Sequence, residues 1–288
     1  MSIGVNNTIP SCNSLFSEDE FYRLKNIHDE NPWLAYENLT GFYELWNLTN
    51  NETQKELLEF LINNFTYVNL HELLNACKAI ANQIEINWKL SPENTIITAI
   101  SDNADPDGSQ FLLQAMKNKF SFSWREAFYN AITNAVYAVK DDTNLVIIDD
   151  FIGSGNKVLK KVSYVQRTLL KKGIKDVNIY VCSLAAMIFS KPQLTSIVNN
   201  VFSYMWLNKG ITELAPADKR MLYVKEMLAL ESHLHWTVKK QKMFSFGYKQ
   251  SETLFSIMST NVPNNVFPIF WWRYLRPNKM REPILRRL

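Results

Sequence analysis

Glycine is scarce, with 8 residues in 288. A chain so poor in the residue that tolerates left-handed backbone is no fibrous or low-complexity protein, and any pair of close glycines asks for a reason. Cysteine is scarcer: Cys12, Cys77 and Cys182 are far apart and odd in number. That excludes a disulfide framework and a metal site of paired cysteines. Excess charge of one sign is also lacking. Against 31 Lys and Arg stand 28 Asp and Glu, a net charge of +3, so the whole-molecule field gives no argument for nucleic acid. No apolar run approaches the length of a membrane span, and no basic-then-apolar signal segment opens the chain. The expected setting is a reducing cytoplasm, with no membrane.

Hydrophobic residues make up 47% of the chain, enough for a substantial core. Residues 1–16 are polar and read as a lead-in. From Ser17 to about Leu90 the pattern is helical. Ser17 with Glu20 three residues on is a capping-box arrangement. Leu57, Leu58, Leu61 and Ile62 share one helical face, as do Leu70, Leu73, Leu74, Cys77 and Ile80. The character changes at Pro92. Apolar runs at 94–100, 144–150 and 176–187 lack period-2 alternation, as in a sheet buried on both faces. Helical patterns at 110–118, 124–139 and 156–172 separate them, the last ending at Gly173. This alternation predicts an α/β fold, a mostly parallel sheet of about five strands flanked by helices. The expected division is an N-terminal helical region over 1–90, an α/β core over 91–215 and a C-terminal extension over 216–288. The extension opens with a helical stretch at 217–232.

Two of the scarce glycines fall in "NLVIIDDFIGSGNKV" (144–158). Asp149 and Asp150 stand at the carboxyl end of an apolar run, where ligands sit in such sheets. Successive strand side chains point to opposite faces, so the pair converges on one ligand only if the chain bends. Gly153-Ser154-Gly155 then opens a helix, whose N-terminus favours an anion. The P-loop pattern fails, because Asn156 and Lys157 follow Gly155. The dinucleotide fingerprint lacks its third glycine, Val158 standing there. Carboxylates that grip vicinal hydroxyls beside amides that grip a phosphate describe a ribose-5-phosphate site. The bland alternative is an acidic turn that caps a helix.

The stretch "VIIDDFIGSGNKV" resembles the signature of type I phosphoribosyltransferases. The resemblance implies a phosphoribosyltransferase-like fold and chemistry at the anomeric carbon of a ribose phosphate, by transfer or by hydrolysis of a nucleotide. It implies Asp149 and Asp150 as the catalytic pair on the ribose hydroxyls. Gly153, Ser154, Gly155 and Asn156 would cradle the 5-phosphate, and Lys157 takes a ligand-binding position where the family usually has Thr. A second resemblance spans about 90–275. "FGY", "LF" and "NVPNNVFPIFWW" are similar to segments of phosphoribosyltransferase-like proteins of bacterial conflict systems, some beside reverse transcriptases in retron-type antiphage operons. It implies an effector or effector subunit that binds phosphoribosyl pyrophosphate or a nucleotide. Its partner would be a reverse transcriptase–nucleic acid complex or another defence subunit. The alternative is a non-catalytic regulatory subunit that binds a nucleotide or nucleoprotein.

The loop "SDNADPDGS" (101–109) falls where this fold binds pyrophosphate, yet it offers Asp102, Asp105 and Asp107 and no cation. Either Mg²⁺ joins the site, with Asp102 or Asp105 as ligands, or pyrophosphate is not bound in the ordinary way. A polar turn around Pro106 and Gly108 is the plain reading. His233 and His235 would share a face on a strand but have no third ligand, and read as a surface pair. At least one of Trp271 and Trp272 is expected in the core. The basic end carries Arg273, Arg276, Lys279, Arg281, Arg286 and Arg287 against Glu282. It reads as a solvated tail or, with its Trp and Tyr neighbours, as a track for a nucleic-acid backbone.

Overall fold

The computed structural model describes residues 17–102, 107–238 and 241–287. The lead-in over 1–16, with Cys12, and Asp105 lie outside the described residues. Helix starts are set locally. Helix α1 (Glu18–Glu30) is capped by Ser17, whose hydroxyl accepts from Glu20 N at 3.2 Å, with three acids in its first turn. After α2 (Leu39–Trp46), helix α3 (Glu52–Asn63) is capped by Asn51. Strand β1 (Thr66–Val68) leads to α4 (Leu70–Asn82), capped by Asn69. Helix α4 buries Leu73, Cys77 and Ile80, but Leu70 and Leu74 are exposed, so its apolar face is narrower than its sequence suggests.

A five-stranded sheet follows. Its strands, in chain order, are β2 (Thr95–Ala99), β3 (Phe128–Tyr129), β4 (Thr143–Ile152), β5 (Val177–Met187) and β6 (Asn200–Leu207). They lie in the spatial order β3-β2-β4-β5-β6, all parallel. Leu145 and Ile147 of β4 face a core shared with α6 (Ile132–Ala138), α7 (Asn156–Lys171) and α8 (Lys191–Thr195). Val146 and Ile148 face the opposite core, shared with α4 and α5 (Gly108–Met116). This is the two-sided burial that the unalternating apolar runs predict.

The expected helix over 124–139 is broken. A 3₁₀ turn (Phe122–Glu126) gives way to β3, which pairs Phe128 and Tyr129 with Ile97 and Thr98 before α6 begins. Sheet pairing at the edge overrides a helical pattern in these aromatic residues, which suit either state. Strand β4 also runs two residues past the aspartates, to Ile152, instead of ending at them.

From β2 the chain passes through α5 to β3 on one side; from β4 it passes through α7 to β5 on the other. The strand order therefore reverses between β2 and β4, and a crevice opens beyond their carboxyl ends. The two ends of the chain share a third core. Residues of α1–α3 pack with α9 (Arg220–Glu231) and with residues 243–285, including Phe267, Phe270, Trp271 and Trp272. Both tryptophans are buried. The basic end is no solvated tail. Arg281 is 4% exposed and donates Nε to Trp272 O at 3.0 Å; burial pulls its pKa down to about 10. Arg276 and Arg287 also donate to backbone carbonyls of the extension.

Candidate ribose-phosphate site

Strand β2 ends at Ala99, level with Ile148, so Asp149 and Asp150 extend beyond it. On the other edge β4 pairs Asp149 with Ser183 and Phe151 with Ala185, and the register skips Asp150. Both carboxylates reach one locus despite being neighbours on a strand. Their oxygens and one of Asp107 lie within 4.8 Å of one another. Asp107 caps α5, with a reciprocal bond from its backbone to Gln110. Gly108 lets Asp150 approach, since a Cβ there would lie 2.1 Å from Asp150 Oδ2.

Lys157 stands among these acids. Its Nζ donates to Asp149 Oδ1 at 3.1 Å and to Asp107 Oδ2 at 3.2 Å. Burial raises the Asp149 pKa, against the pull of Lys157. Burial, and then the Asp149 charge, push the Asp150 pKa well above the ordinary carboxylate value. Burial also pushes Asp107 upward, but Lys157 and the Ser109 bonds outweigh it and the net direction is down. The Lys157 ammonium is desolvated, yet three acids raise its pKa overall. Asp149 is 1% exposed; its Oδ2 takes no N–H or hydroxyl donor among the described residues, and the Asp150 carboxyl is its side-chain partner.

Beyond the acids, Gly155 adopts φ +77° and begins α7 with no side-chain cap. The first N–H groups of that helix are left for another acceptor. Gly153, Ser154, Gly155, Asn156 and Lys157 line a cavity of about 350 Å³ together with Asp149 and Lys160. Tyr248, Asn264 and Asn265 of the C-terminal extension line its other side. Asn265 lies against Gly153, where a Cβ would meet its Nδ2 at 2.3 Å. It is fixed by donating Nδ2 to Ser251 Oγ at 2.9 Å and to Tyr248 O at 3.2 Å.

The structure thus brings Asp149 and the 153–157 loop to one cavity, with Asp150 beside Asp149 in the acid cluster and not in the cavity lining. Asp102 is not in the acid cluster; it pairs with Lys161, one turn along α7 from Lys157. Asp107 takes the inner place, and its sequence signal was available: Asp107 followed by Gln110 ahead of an apolar run is a capping box. Tyr248 and Asn265 lie in the "FGY" and "NVPNNVFPIFWW" segments of the second resemblance, but their place on the cavity depends on packing against distant chain. His233 faces Asn50 and, with His235, belongs to no metal-ligand cluster among the described residues. Cys77 and Cys182 are buried, with thiols pushed up by desolvation, which makes them poor nucleophiles. Among the described residues no helix is long and apolar enough to cross a membrane.

The model of the PRTase-CE family matches residues 45–287. The chain belongs to the PRTase-CE family. It is a phosphoribosyltransferase-like protein, and its parallel sheet flanked by helices is the fold of that group. Among solved structures it is similar to a hypothetical protein from Neisseria gonorrhoeae with bound ppGpp, at 12% identity over 50% of this chain and 85% of that one, TM-score 0.34. It is similar to a hypoxanthine-guanine phosphoribosyltransferase from Schistosoma mansoni in complex with IMP, at 14% identity over 47% and 65%, TM-score 0.31. A purine phosphoribosyltransferase from Pyrococcus horikoshii gives 14% identity over 53% and 96%, TM-score 0.30. No curated protein matches. The PRTase-CE match takes in the cavity's loop and the extension residues facing it, so both are family territory.

The oxygen donors of Asp107, Asp149 and Asp150 are of the kind Mg²⁺ prefers. The place between Asp107 and Asp149 is held by the Lys157 ammonium, so a metal does not fit there beside it.

Proposed function

We propose that PRTase-CE family membership is expressed here as binding of a ribose-5-phosphate ligand, phosphoribosyl pyrophosphate or a nucleotide, in the β4–α7 cavity. The observation that carries this reading is the pairing of two unmet needs. Asp149 Oδ2 is a buried acceptor that only the Asp150 carboxyl approaches, and a few residues on, the uncapped start of α7 presents donors without an acceptor. A sugar hydroxyl answers the first and a phosphate the second. Asp150 stands beside Asp149 as the second carboxyl of the pair. Lys157 and Lys160 add positive charge along the same wall. Reaction at the anomeric carbon would need positioning and neutralisation of the leaving group more than a nucleophile.

Calorimetry tests the reading. Wild type should bind phosphoribosyl pyrophosphate or AMP, and the double variant Asp149→Asn/Asp150→Asn should lose at least about tenfold in affinity while unfolding normally. Equal binding by a folded double variant would place the ligand elsewhere. We further propose that the protein serves as an effector or effector subunit of a bacterial antiphage, retron-type system, with a reverse transcriptase–nucleic acid complex or another defence subunit as partner. Support comes from the conflict-system resemblance of "NVPNNVFPIFWW", the segment whose Asn264 and Asn265 wall the cavity. Phage challenge of cells carrying wild-type or Asp149→Asn alleles decides it; equal survival would count against the role.

A further inference from the structure

Three carboxylates converge beyond β2 and β4, and the cation that balances them is part of the chain. Lys157 Nζ bridges Asp149 and Asp107 at 3.1 and 3.2 Å. One turn on, Lys161 pairs with Asp102. Both lysines lie in the first two turns of α7, where the helix dipole disfavours positive charge. Helix stability does not explain them there; the acids opposite do. The Asp149 side chain is almost wholly buried, and among the described residues Lys157 supplies its one N–H donor. The cation at this place is held between two carboxylates from separate elements, so its position is a built one.

We propose that Lys157 is the resident cation of this site, standing where a divalent metal ion would otherwise bind, and that it makes the cavity a metal-independent one. The inference rests on the proposed function only for what the cavity binds. The carboxylates and the ammonium define the cation seat whatever ligand lies beside it. Lys157 is a positioning residue: it holds Asp149 by one oxygen and leaves the other directed to a ligand. Its side chain is 43% exposed, so a metal ion could reach the acids once the ammonium is gone.

The test uses Mn²⁺ alone, titrated by calorimetry into the full chain with no other ligand. Lys157→Met should acquire one Mn²⁺ site at least about tenfold tighter than any in wild type, because a like charge has left three carboxylates. Its melting temperature should rise with Mn²⁺ while that of wild type stays flat. Adding Asp149→Asn should abolish the new site. Lys157→Arg keeps the charge and should behave as wild type. Wild type binding Mn²⁺ as tightly as Lys157→Met would overturn the proposal, as would a folded Lys157→Met that binds none. If Lys157→Met does not fold, wild type and Lys157→Arg still decide: Mn²⁺ binding by both with Kd below about a millimolar refutes it, and binding by neither, while Asp149→Asn changes nothing, supports it. A protein that binds no ribose phosphate would sink the proposed ligand and leave the Mn²⁺ result standing.

Discussion

The two walls of the cavity are built in different ways. The floor is one continuous stretch, Asp149 to Val158, at the end of β4 and the start of α7. The roof is Tyr248, Asn264 and Asn265, from a segment that returns after β5, β6 and α9. The floor's one left-handed residue is Gly155, at φ +77°. The roof's approach puts Phe246, Lys249, Gln250 and Glu252 at φ of 56°, 60°, 51° and 49°. Left-handed backbone costs roughly 1–2 kcal/mol per non-glycine residue. The floor is thus a local structure, and the roof exists because distant bonds hold it. Glu252 accepts from Ile211 N and Thr212 N at 2.9 and 2.8 Å, and Glu231 accepts from Phe246 N at 2.9 Å.

The largest break should come from the roof. Gly247 is at φ +76°, and a Cβ there would lie 1.9 Å from Asn265 O. Backbone cannot yield as a side-chain tip can, so Gly247→Ala should cost about 3 kcal/mol or more, read by denaturant unfolding. An unchanged midpoint would mean that the roof is not held as described. The next effect falls where the walls meet. Gly153→Ala would strike the Asn265 side chain, which can move only by giving up its bonds to Ser251 and Tyr248, so about 1 kcal/mol or more of stability and a larger loss of ligand affinity are expected. Asn265→Ala alone should loosen the roof through its lost bonds to Ser251 and Tyr248. The two together should cost less than their sum, because the clash has gone. Strict additivity in a double-mutant cycle would show that the walls do not touch.

The same contrast explains what the sequence made legible. The apolar run, the acid pair and the glycine loop are ten or so consecutive residues, and their pattern needed no tertiary contact to be read. Strands β2, β4 and β5 were legible for the same reason. Strand β6 was not, because "NNVFSYMWL" carries polar residues on a sheet edge and matches no simple period. The break at Phe128 was hidden because pairing with Ile97 lies thirty residues away in the chain. Asp102 and Asp107 belong to one acidic loop, in which the capping box with Gln110 sets Asp107 apart. Only the fold of α5 turns Asp107 inward and leaves Asp102 to Lys161. Lys157 could be placed on the loop but not among the acids, since that depends on two loops meeting.

The last prediction concerns pH and again separates roof from floor. Glu231 is buried at the end of α9, and burial raises its pKa from 4.5 to about 7. Its carboxyl holds the segment leading to Tyr248 through Ser245 Oγ and Phe246 N. The folded protein keeps the Glu231 proton over a range in which the unfolded chain releases it. Stability from this group is therefore fully present below about pH 4.5 and is lost as pH rises toward 7, at most about 3 kcal/mol. Glu231→Gln keeps the shape and cannot ionise. The difference in unfolding free energy between wild type and variant should change across pH 4.5 to 7 and be flat above it, with the variant the more stable at pH 8. Asp149 and Asp150 also have raised pKa values, but they are present in both proteins and cancel in that difference. A wild-type-minus-variant curve that is flat throughout would mean that Glu231 is not desolvated under the roof. A curve that changes between pH 4.5 and 7 and levels off above, together with ligand affinity that falls over the same range, would tie the roof's closure to this one proton.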